Sequence, residues 1–292
     1  MDVLYESDLV RYYSSDVLLI YGYDDDDTPT NNDRTRDKNL SCHTSSCIGL
    51  WNREHVFARS LANPSLDTSY PSAGTDVHNL RSCDSQMNSS RSNRIFQDGN
   101  GNSHITSIGN FYPGDEHKGD VARIAMYMYT RYPEQCEVIN LGYGTTENAP
   151  LNDMPDVFLR WNLEDPVSHF EKERNEVIYQ YQGNRNPFID NPYIATLIWN
   201  GEAAEDTWGS LSTGGSEVEL LSVYPTYTTN YVYIGGNAGN TSYQYSIYNM
   251  FGQKVQSSRT DEVIDVSALD KGIYILHIKN ENTKQVTKIL KV

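Results

Sequence analysis

The stretch Trp51-Asn52-Arg53-Glu54-His55-Val56 carries the densest functional signal in the chain. It is followed by Asp76-Val77-His78-Asn79-Leu80 and then by Asn88, Arg91 and Asn93. Taken alone, a Glu-His pair arises often by chance, and a single exposed histidine is more often structural than catalytic. The whole set in this order is far less often accidental, so it indicates a catalytic site within residues 51–93.

The residue types in this set suit the hydrolysis of a phosphodiester. That reaction needs a base to activate water, a cation to hold the phosphate and help for the departing oxygen. His55 can act as the base, because imidazole with its reference pKa of about 6.5 is largely neutral at pH 7. Glu54 and Asn88 offer a carboxylate and an amide oxygen, the hard ligands that Mg²⁺ prefers. Such a ligand pair leaves the ion positive enough to attract phosphate.

The length and the charge of the chain limit its possible architectures and the ways in which it can bind nucleic acid. The chain has 292 residues and a formal net charge of −16, and its length suits two domains. Residues 221–292 hold 7 basic and 5 acidic residues, which leaves 16 basic and 34 acidic residues in the first 220. Bulk electrostatics in that first part therefore disfavour nucleic acid. A phosphate-binding surface there has to be local or made by a bound cation.

Four cysteines, Cys42, Cys47, Cys83 and Cys136, allow three interpretations. The even, sparse count favours two disulfides, in one of three possible pairings. Free buried thiols come next. A zinc site comes last, because the spacing of Cys42 and Cys47 is looser than in a zinc knuckle.

Two helices are marked in the first part of the chain. The segment DVARIAMYMYTRY at residues 120–132 places apolar residues on one stripe and predicts a helix capped by Asp120. The second helix follows Pro166. There Ser168 begins the S-x-x-E spacing of a capping box, and Gly183 is a suitable end.

The pattern changes after residue 208. Residues 209–219, which include GSLSTGGSE, predict a flexible linker. Beyond it, short strands are predicted at 231–234, 243–248 and 273–278, with a hairpin turn that ends at Gly252. Evenly spaced strands without helical stripes predict a small all-β domain over residues 220–292, an Ig-like sandwich.

Residues from about 10 to 208 resemble the endonuclease I family of ββα-metal, or His-Me finger, nucleases. Besides the motifs above, the resemblance rests on GD-x-AR at 119–123, DPVS at 165–168 and QGNRNPFID at 182–190. It implies an α+β nuclease domain over residues 1–208. One strand of that domain carries Glu54 and His55, a second carries residues 76–80, and a short helix that Asp84 could cap carries Asn88.

The resemblance also implies roles for single residues. Glu54 and Asn88 bind one Mg²⁺ (Mn²⁺ or Ca²⁺ are alternatives), His55 is the general base, and cleavage leaves 5′-phosphate ends on DNA, RNA or both. Asn88 and Arg91 lie three residues apart on the helix, so we expect Arg91 to contact phosphate beside the metal. Neighbours on a regular strand face opposite sides. Glu54 and His55 can therefore reach one phosphate only if the strand ends or bulges there.

Other residues near the motif have less definite roles. A buried packing role is favoured over catalysis for His78, and Asp76 could orient an imidazole by a hydrogen bond. Some relatives carry a catalytic arginine in an insertion after the Glu-His motif. The loop at residues 60–73 has no arginine, so that role is vacant or is taken by Arg59, Arg91 or Arg94. The arginines near the motif, which either bind phosphate or pair with acidic residues, are Arg53, Arg59, Arg81, Arg91 and Arg94.

Residues from about 220 to 292 resemble the C-terminal sorting domain of the bacterial type IX secretion system. The resemblance rests on VYP at 223–225, YNMFG at 248–252, VSAL at 266–269, GIY at 272–274 and KILKV at 288–292. It implies export, removal of the tail and the secretion machinery as a partner. Without it, the tail is a β-module that could bind a wall polymer or another partner.

The start of the chain is at odds with export, because no signal peptide is visible there. We therefore expect a truncated N-terminus, with a cytoplasmic protein as the alternative. No run of 18 apolar residues occurs that would span a membrane.

Together these features predict a secreted, monomeric endonuclease that depends on Mg²⁺ and has little sequence preference. Its substrate would be DNA, RNA or both. Three alternatives stay open at this point: a catalytically inactive adhesin or binding module with the same fold, a strict ribonuclease, and a zinc protein built on Cys and His.

Overall fold

The computed structural model describes residues 3–10, 14–42, 47–209, 221–235, 242–279 and 284–292. The chain divides into two compact units, Met1–Glu205 and Asp206–Val292. The predicted linker at residues 209–219 lies, except for Gly209, outside the described residues. Within those residues, no helix combines the length and the apolar character needed to cross a bilayer.

The first unit mixes helices with short strands, which confirms the α+β class. Its described helices are α1 (Leu4–Ser7), α2 (Ser85–Arg91), α3 (Lys118–Arg131), α4 (Asp156–Glu164), α5 (His169–Gln182), α6 (Pro187–Asp190) and α7 (Tyr193–Trp199). Its described strands are β1 (Asp16–Leu18), β2 (Thr35–Asp37), β3 (Trp51–His55), β4 (Leu80–Asp84), β5 (His104–Ile105) and β6 (Phe111–Tyr112).

Strands β3 and β4 form an antiparallel pair in which Glu54 faces Arg81 and His55 faces Leu80. The expectation that residues 76–80 form the second strand is wrong, because that strand begins only at Leu80. Residues Val77–Asn79 form a 3-10 turn instead. The Asp76 carboxylate accepts a hydrogen bond from the backbone N–H of His78 at 3.0 Å, which favours the turn over an extended chain.

Helix α2 follows β4 directly, because Asp84 both ends the strand and caps the helix. Its carboxylate accepts hydrogen bonds from the backbone N–H groups of Gln86 at 2.8 Å and Met87 at 3.0 Å. These donors have no partner inside the helix, so the side chain satisfies them. The predicted cap is confirmed, and it places Asn88 one turn into the helix.

Helix α3 is buried over most of its length and begins earlier than predicted. His117, not Asp120, occupies the cap position. Asp120 does not act as a cap because it lies inside the protein, where Arg81 Nη1 donates to its Oδ2 at 2.6 Å. The apolar stripe of the helix is core packing, as expected.

Helix α5 begins and ends where local chemistry predicts. Ser168 Oγ accepts a hydrogen bond from Glu171 N at 3.1 Å, and the Glu171 carboxylate accepts one from Ser168 N at 2.9 Å. Gly183 ends the helix with a φ of 79°, a left-handed conformation that glycine adopts without steric cost. The capping box and the glycine stop are both confirmed.

Among the described residues one disulfide is present, between Cys42 and Cys47, whose Cα atoms are 5.5 Å apart. The expectation of a second disulfide is wrong, since Cys83 and Cys136 are buried free thiols. Burial raises the pKa of Cys136 to about 12 and also raises that of Cys83. Within the described ranges, no group of three or more His, Cys, Asp or Glu side chains is arranged to hold a metal. The zinc alternative therefore gains no support.

The second unit is all-β, as predicted. Its described strands are β7 (Ser222–Tyr224), β8 (Tyr227–Thr228), β9 (Tyr231–Gly235), β10 (Tyr243–Asn249), β11 (Lys254–Thr260), β12 (Val263–Asp265), β13 (Gly272–Lys279) and β14 (Lys284–Lys291). They form two sheets, ordered β11-β10-β13-β14-β8 and β12-β9-β7. Val232, Ile247 and Leu276, from both sheets, belong to one apolar cluster. The Ig-like assignment stays a prediction.

Candidate active site

Glu54 and His55 are the last two residues of β3. The strand ends at His55, which is the condition under which both side chains can reach one phosphate. The Glu54 side chain is buried and the His55 side chain is half-buried. The carboxylate therefore lies in the protein interior, and the imidazole lies at the edge of solvent.

Helix α2 brings Asn88 against β3. The Asn88 amide nitrogen Nδ2 donates to Asn52 Oδ1 at 2.7 Å and to the carbonyl oxygen of Arg53 at 3.2 Å. A carbonyl oxygen only accepts, so this contact decides which end of the amide faces the strand. Both contacts use Nδ2, and among the described residues they leave Oδ1 for another donor or a cation.

The Glu54 carboxylate is held by two side chains in the interior. The Tyr21 hydroxyl donates to Glu54 Oε1 at 3.0 Å, and Arg91 Nη1 lies 3.1 Å from the same oxygen. Burial raises the pKa of Glu54 to about 7, although Arg91 and Tyr21 both favour the ionised form. Because burial disfavours the ionised form of Glu54, a bound cation would stabilise this carboxylate as an anion.

His55 is held in one tautomer by a backbone carbonyl. Its Nε2 lies 2.9 Å from the oxygen of Gly74, which only accepts, so Nε2 carries the proton. Burial lowers the pKa of His55, and the hydrogen bond to Gly74 offsets this only in part. The positive charges of Arg59, Arg53 and Arg91 lower that pKa further. The ring is therefore neutral at pH 7 and can accept a proton at Nδ1.

Arg91 is placed differently from the expectation that it contacts phosphate. Its side chain has 0% exposure, and its guanidinium donates to the carbonyl oxygens of His55 at 3.1 Å and Val56 at 2.8 Å. It also pairs with Glu54 and lies over the ring of Phe96, 4.6 Å from the centroid. The spacing from Asn88 predicts a shared helix face. It does not show whether the face meets solvent or the strand, and Arg91 meets the strand.

His78 and Asp76 belong to the interior. His78 is fully buried, with Nε2 3.2 Å from the carbonyl oxygen of Asn184 and its ring 4.6 Å from that of Tyr127. Burial lowers the pKa of His78 to about 4. The packing role is confirmed. Among the described residues, no imidazole is hydrogen-bonded to the Asp76 carboxylate, which instead accepts hydrogen bonds from the hydroxyls of Tyr127 at 2.8 Å and Tyr132 at 2.9 Å.

The arginines near the motif divide by exposure. Arg81 and Arg91 are buried, and Arg94, which follows the end of α2, donates to the carbonyl oxygen of Ser90 in that helix at 2.6 Å. Arg53 and Arg59 are exposed, and both lie close enough to His55 to lower its pKa. These two are the members of the group that a substrate phosphate can reach most readily.

Two residues of the site carried no signal in the sequence. Tyr21 precedes Glu54 by 33 positions, and Gly74 follows His55 by 19, and neither separation matches a helix or strand repeat. Gly74 is required by packing, because a Cβ at this position would meet the backbone oxygen of Asp67 at 2.0 Å. A tyrosine and a glycine in loops have no pattern that points to Glu54 or His55.

Comparisons with known proteins identify the families to which the two parts of the chain are similar. A family model described as Endonuclease I matches residues 1–193, and one described as Secretion system C-terminal sorting domain matches residues 222–292. The second match confirms the expected tail and marks the chain as secreted or displayed at the cell surface.

Individual relatives of the chain carry the names of nucleases. The Extracellular ribonuclease of Bacillus amyloliquefaciens is 39% identical over 211 residues, which is 68% of this chain and 66% of the relative. The Extracellular ribonuclease of Bacillus subtilis (strain 168) is 39% identical over 208 residues, with the same coverage of 68% and 66%. The Endonuclease-1 of Buchnera aphidicola subsp. Baizongia pistaciae (strain Bp) is 27% identical over 134 residues, 42% of this chain and 49% of the relative.

The alignments thus span 66% of the length of the two Bacillus relatives. The Endonuclease I match covers well over half of the present chain and includes every residue of the candidate site. The chain therefore belongs to the endonuclease I family.

Proposed function

We propose that this chain is a secreted, divalent-metal-dependent endonuclease that hydrolyses phosphodiester bonds of DNA, RNA or both with little sequence preference, leaving 5′-phosphate ends. The hydrogen bond from His55 to Gly74 O carries the proposal, because it leaves Nδ1 of a neutral imidazole as a proton acceptor next to Glu54. Membership in the endonuclease I family supports it. The succession of β3, β4 and α2 supports the ββα-metal type.

Glu54 and Asn88 suit a hard divalent cation, Mg²⁺ by preference, with Mn²⁺ or Ca²⁺ as alternatives. Among the described side chains, the contacts of the Asn88 amide use Nδ2 and not Oδ1, and the contacts of Tyr21 and Arg91 with Glu54 use Oε1 and not Oε2. One carboxylate and one neutral oxygen fit the preference of Mg²⁺ for few protein ligands beside water. When bound, the ion would supply positive charge to the phosphate and to the departing oxygen.

The chain's own residues supply the remaining chemistry. His55 accepts a proton from the attacking water at Nδ1, while its Nε2–H stays on the Gly74 carbonyl and holds the ring. Arg53 and Arg59 bring positive charge to the exposed side of His55, where they attract the phosphate. This local charge lets a strongly acidic unit approach a polyanion.

A strict ribonuclease is the second candidate function. The two Bacillus relatives carry the name extracellular ribonuclease, which favours RNA as a substrate. No described residue of the site forms a recognisable reader of the 2′-hydroxyl group, which leaves DNA as a substrate as well. An inactive adhesin is disfavoured, because Glu54, His55 and Asn88 are all present in the chain.

For the second unit we propose that residues 220–292 are recognised by the type IX secretion machinery and that residues 1–208 act as a monomeric nuclease. Deletion of residues 220–292 should abolish export and leave nuclease activity in the cell lysate. Equal export of the truncated chain would contradict this role. The elution volume of the full chain in size-exclusion chromatography tests the monomer.

Plasmid nicking and RNA hydrolysis, each with Mg²⁺ and with EDTA, test the nuclease proposal. His55→Ala should lower the rate about 10²–10⁴-fold, while Mn²⁺ binding measured by calorimetry stays intact. Glu54→Gln should lose both activity and metal binding. His169→Ala is a control, because this imidazole is 84% exposed and lies on α5, and it should keep full activity.

The outcomes separate the parts of the proposal. Full activity of His55→Ala on both substrates would refute the assignment of the base. Undiminished activity of the wild-type chain in EDTA would refute metal dependence. Hydrolysis of RNA without nicking of plasmid would select the strict ribonuclease.

A further inference from the structure

We infer that Tyr21 is a positioning residue that fixes the Glu54 carboxylate for a divalent cation, an inference that rests on the proposed function. The Tyr21 hydroxyl donates to Glu54 Oε1 at 3.0 Å, and the Tyr21 side chain has 0% exposure. Arg91 Nη1 contacts the same oxygen at 3.1 Å. Both side-chain partners hold Oε1, so we assign Oε2, which neither of them contacts, to the cation.

The backbone of Tyr21 adopts a conformation that is costly for tyrosine. Its φ is 73°, in the left-handed region that residues with a Cβ rarely occupy. Backbone strain of this kind persists only where several surrounding contacts fix the conformation, and it clusters at functional sites. The contact between the Tyr21 hydroxyl and Glu54 provides a function for it.

Three separate parts of the first unit hold the turn that contains Tyr21. Ile20 N donates to the carbonyl oxygen of Ser82 on β4 at 2.8 Å. Ser103 Oγ donates to the carbonyl oxygen of Tyr21 at 2.7 Å, and His117 Nε2 lies 3.0 Å from that of Gly22. These bonds tie the turn on both sides of Tyr21, so the hydroxyl has a defined position relative to β3.

The Tyr21 ring and Arg91 share one packing surface. The ring meets Phe111 edge to face, with centroids 5.0 Å apart, and lies 6.3 Å from the ring of Phe96. The Arg91 guanidinium lies over the same Phe96 ring at 4.6 Å. One aromatic cluster therefore supports both partners of Glu54, and rotation of the carboxylate would have to break both contacts at once.

Tyr21→Phe in the full chain tests the inference, because it removes the hydroxyl and keeps the ring. The Kd for Mn²⁺, measured by calorimetry without substrate, should rise about tenfold, as expected for an outer partner of a metal ligand. The Mn²⁺ concentration for half-maximal nuclease activity should rise in parallel, with little change in the rate at saturating metal. A merely structural role would lower stability without this shift.

Tyr129→Phe is the matched control. The Tyr129 hydroxyl also donates to a carboxylate, Asp153 Oδ2 at 2.9 Å, and makes no contact with Glu54. Its loss should leave the Kd for Mn²⁺ unchanged. A rise equal to that of Tyr21→Phe would overturn the inference, since it would show a general effect of losing a tyrosine hydroxyl that binds a carboxylate.

An unchanged Kd in Tyr21→Phe would also overturn the inference. Glu54→Gln distinguishes this from failure of the proposed function. If Glu54→Gln binds Mn²⁺ as the wild type does, the metal site itself is wrong. If Glu54→Gln loses Mn²⁺ while Tyr21→Phe does not, only the role of Tyr21 fails. Should Tyr21→Phe not fold, Ser103→Ala loosens the same turn. It should raise the Kd by a smaller factor, and an unchanged value there counts against the inference equally.

Discussion

Replacing Arg91 by alanine should destabilise the first unit, not merely weaken substrate binding. The buried guanidinium contacts Glu54 Oε1 at 3.1 Å and the carbonyl oxygens of His55 and Val56 at 3.1 and 2.8 Å. Arg91→Ala leaves the buried Glu54 carboxylate without its guanidinium partner and removes the hydrogen-bond donor of two backbone carbonyls. Breaking a buried ion pair from one side costs about 3–5 kcal/mol.

The expected value lies at the lower end of that range for a physical reason. Burial already raises the pKa of Glu54 to about 7, so the carboxylate can take up a proton when Arg91 is lost. Protonation removes the uncompensated charge and limits the penalty. We therefore expect a loss of about 3 kcal/mol in the free energy of unfolding near neutral pH.

Urea unfolding followed by tryptophan fluorescence measures this change. Trp51, Trp161 and Trp199 are buried in the first unit, so their emission reports on its unfolding. Arg53→Ala is the control, because this exposed arginine should change the free energy of unfolding by no more than about 0.5 kcal/mol. If Arg91→Ala were as stable as this control and only KM for nucleic acid rose, Arg91 would be a phosphate contact and the reasoning here would be refuted.

Three further changes, in Gly74, in the pH around His78 and in the disulfide, have defined effects on turnover or stability. Gly74→Ala should lower the turnover rate and leave Mn²⁺ affinity intact, because a Cβ 2.0 Å from Asp67 O displaces the carbonyl that orients the catalytic imidazole; wild-type turnover would contradict this. His78 has a pKa of about 4 in the folded chain, against about 6.5 unfolded, so only the unfolded chain binds this proton between those values. Its contribution to stability should therefore fall as pH drops from 6.5 to 4, by up to about 3 kcal/mol. Parallel pH dependences of the urea midpoint in the wild type and His78→Gln would count against this. Replacing Cys42 and Cys47 together by serine should cost about 2 kcal/mol by loop-closure entropy across 5 positions, and an unchanged midpoint would argue otherwise.

Much of the fold could be predicted where short-range chemistry decides it. The capping box at Ser168 and Glu171, the stop at Gly183 and the cap at Asp84 all depend on hydrogen bonds within a few residues. Such contacts form in the same way in any surroundings, so the sequence reveals them. The cap predicted at Asp120 failed because a distant residue, Arg81, draws that carboxylate into the core.

The candidate site could be predicted in part. Glu54 and His55 are adjacent in the chain, and their chemical types indicate a cation ligand and a base without knowledge of the fold. The second strand was misplaced, because the turn at Val77–Asn79 interrupts the segment that resembles a strand. The helix spacing predicts that Arg91 contacts phosphate beside the metal, but a spacing names a face and not what covers it, and the Arg91 side chain is buried.

By itself, the sequence determined which residue types meet near β3, where the local helix ends lie and that a β-rich tail follows. Only the tertiary structure decided that Tyr21 and Arg91 hold Glu54 and that Gly74 selects the tautomer of His55. The physical reason is distance along the chain. These contacts join residues of strand β3 to loops and to helix α2, 19 to 37 positions apart in the chain. No periodic pattern records which long-range pairs the folded core brings within hydrogen-bond reach.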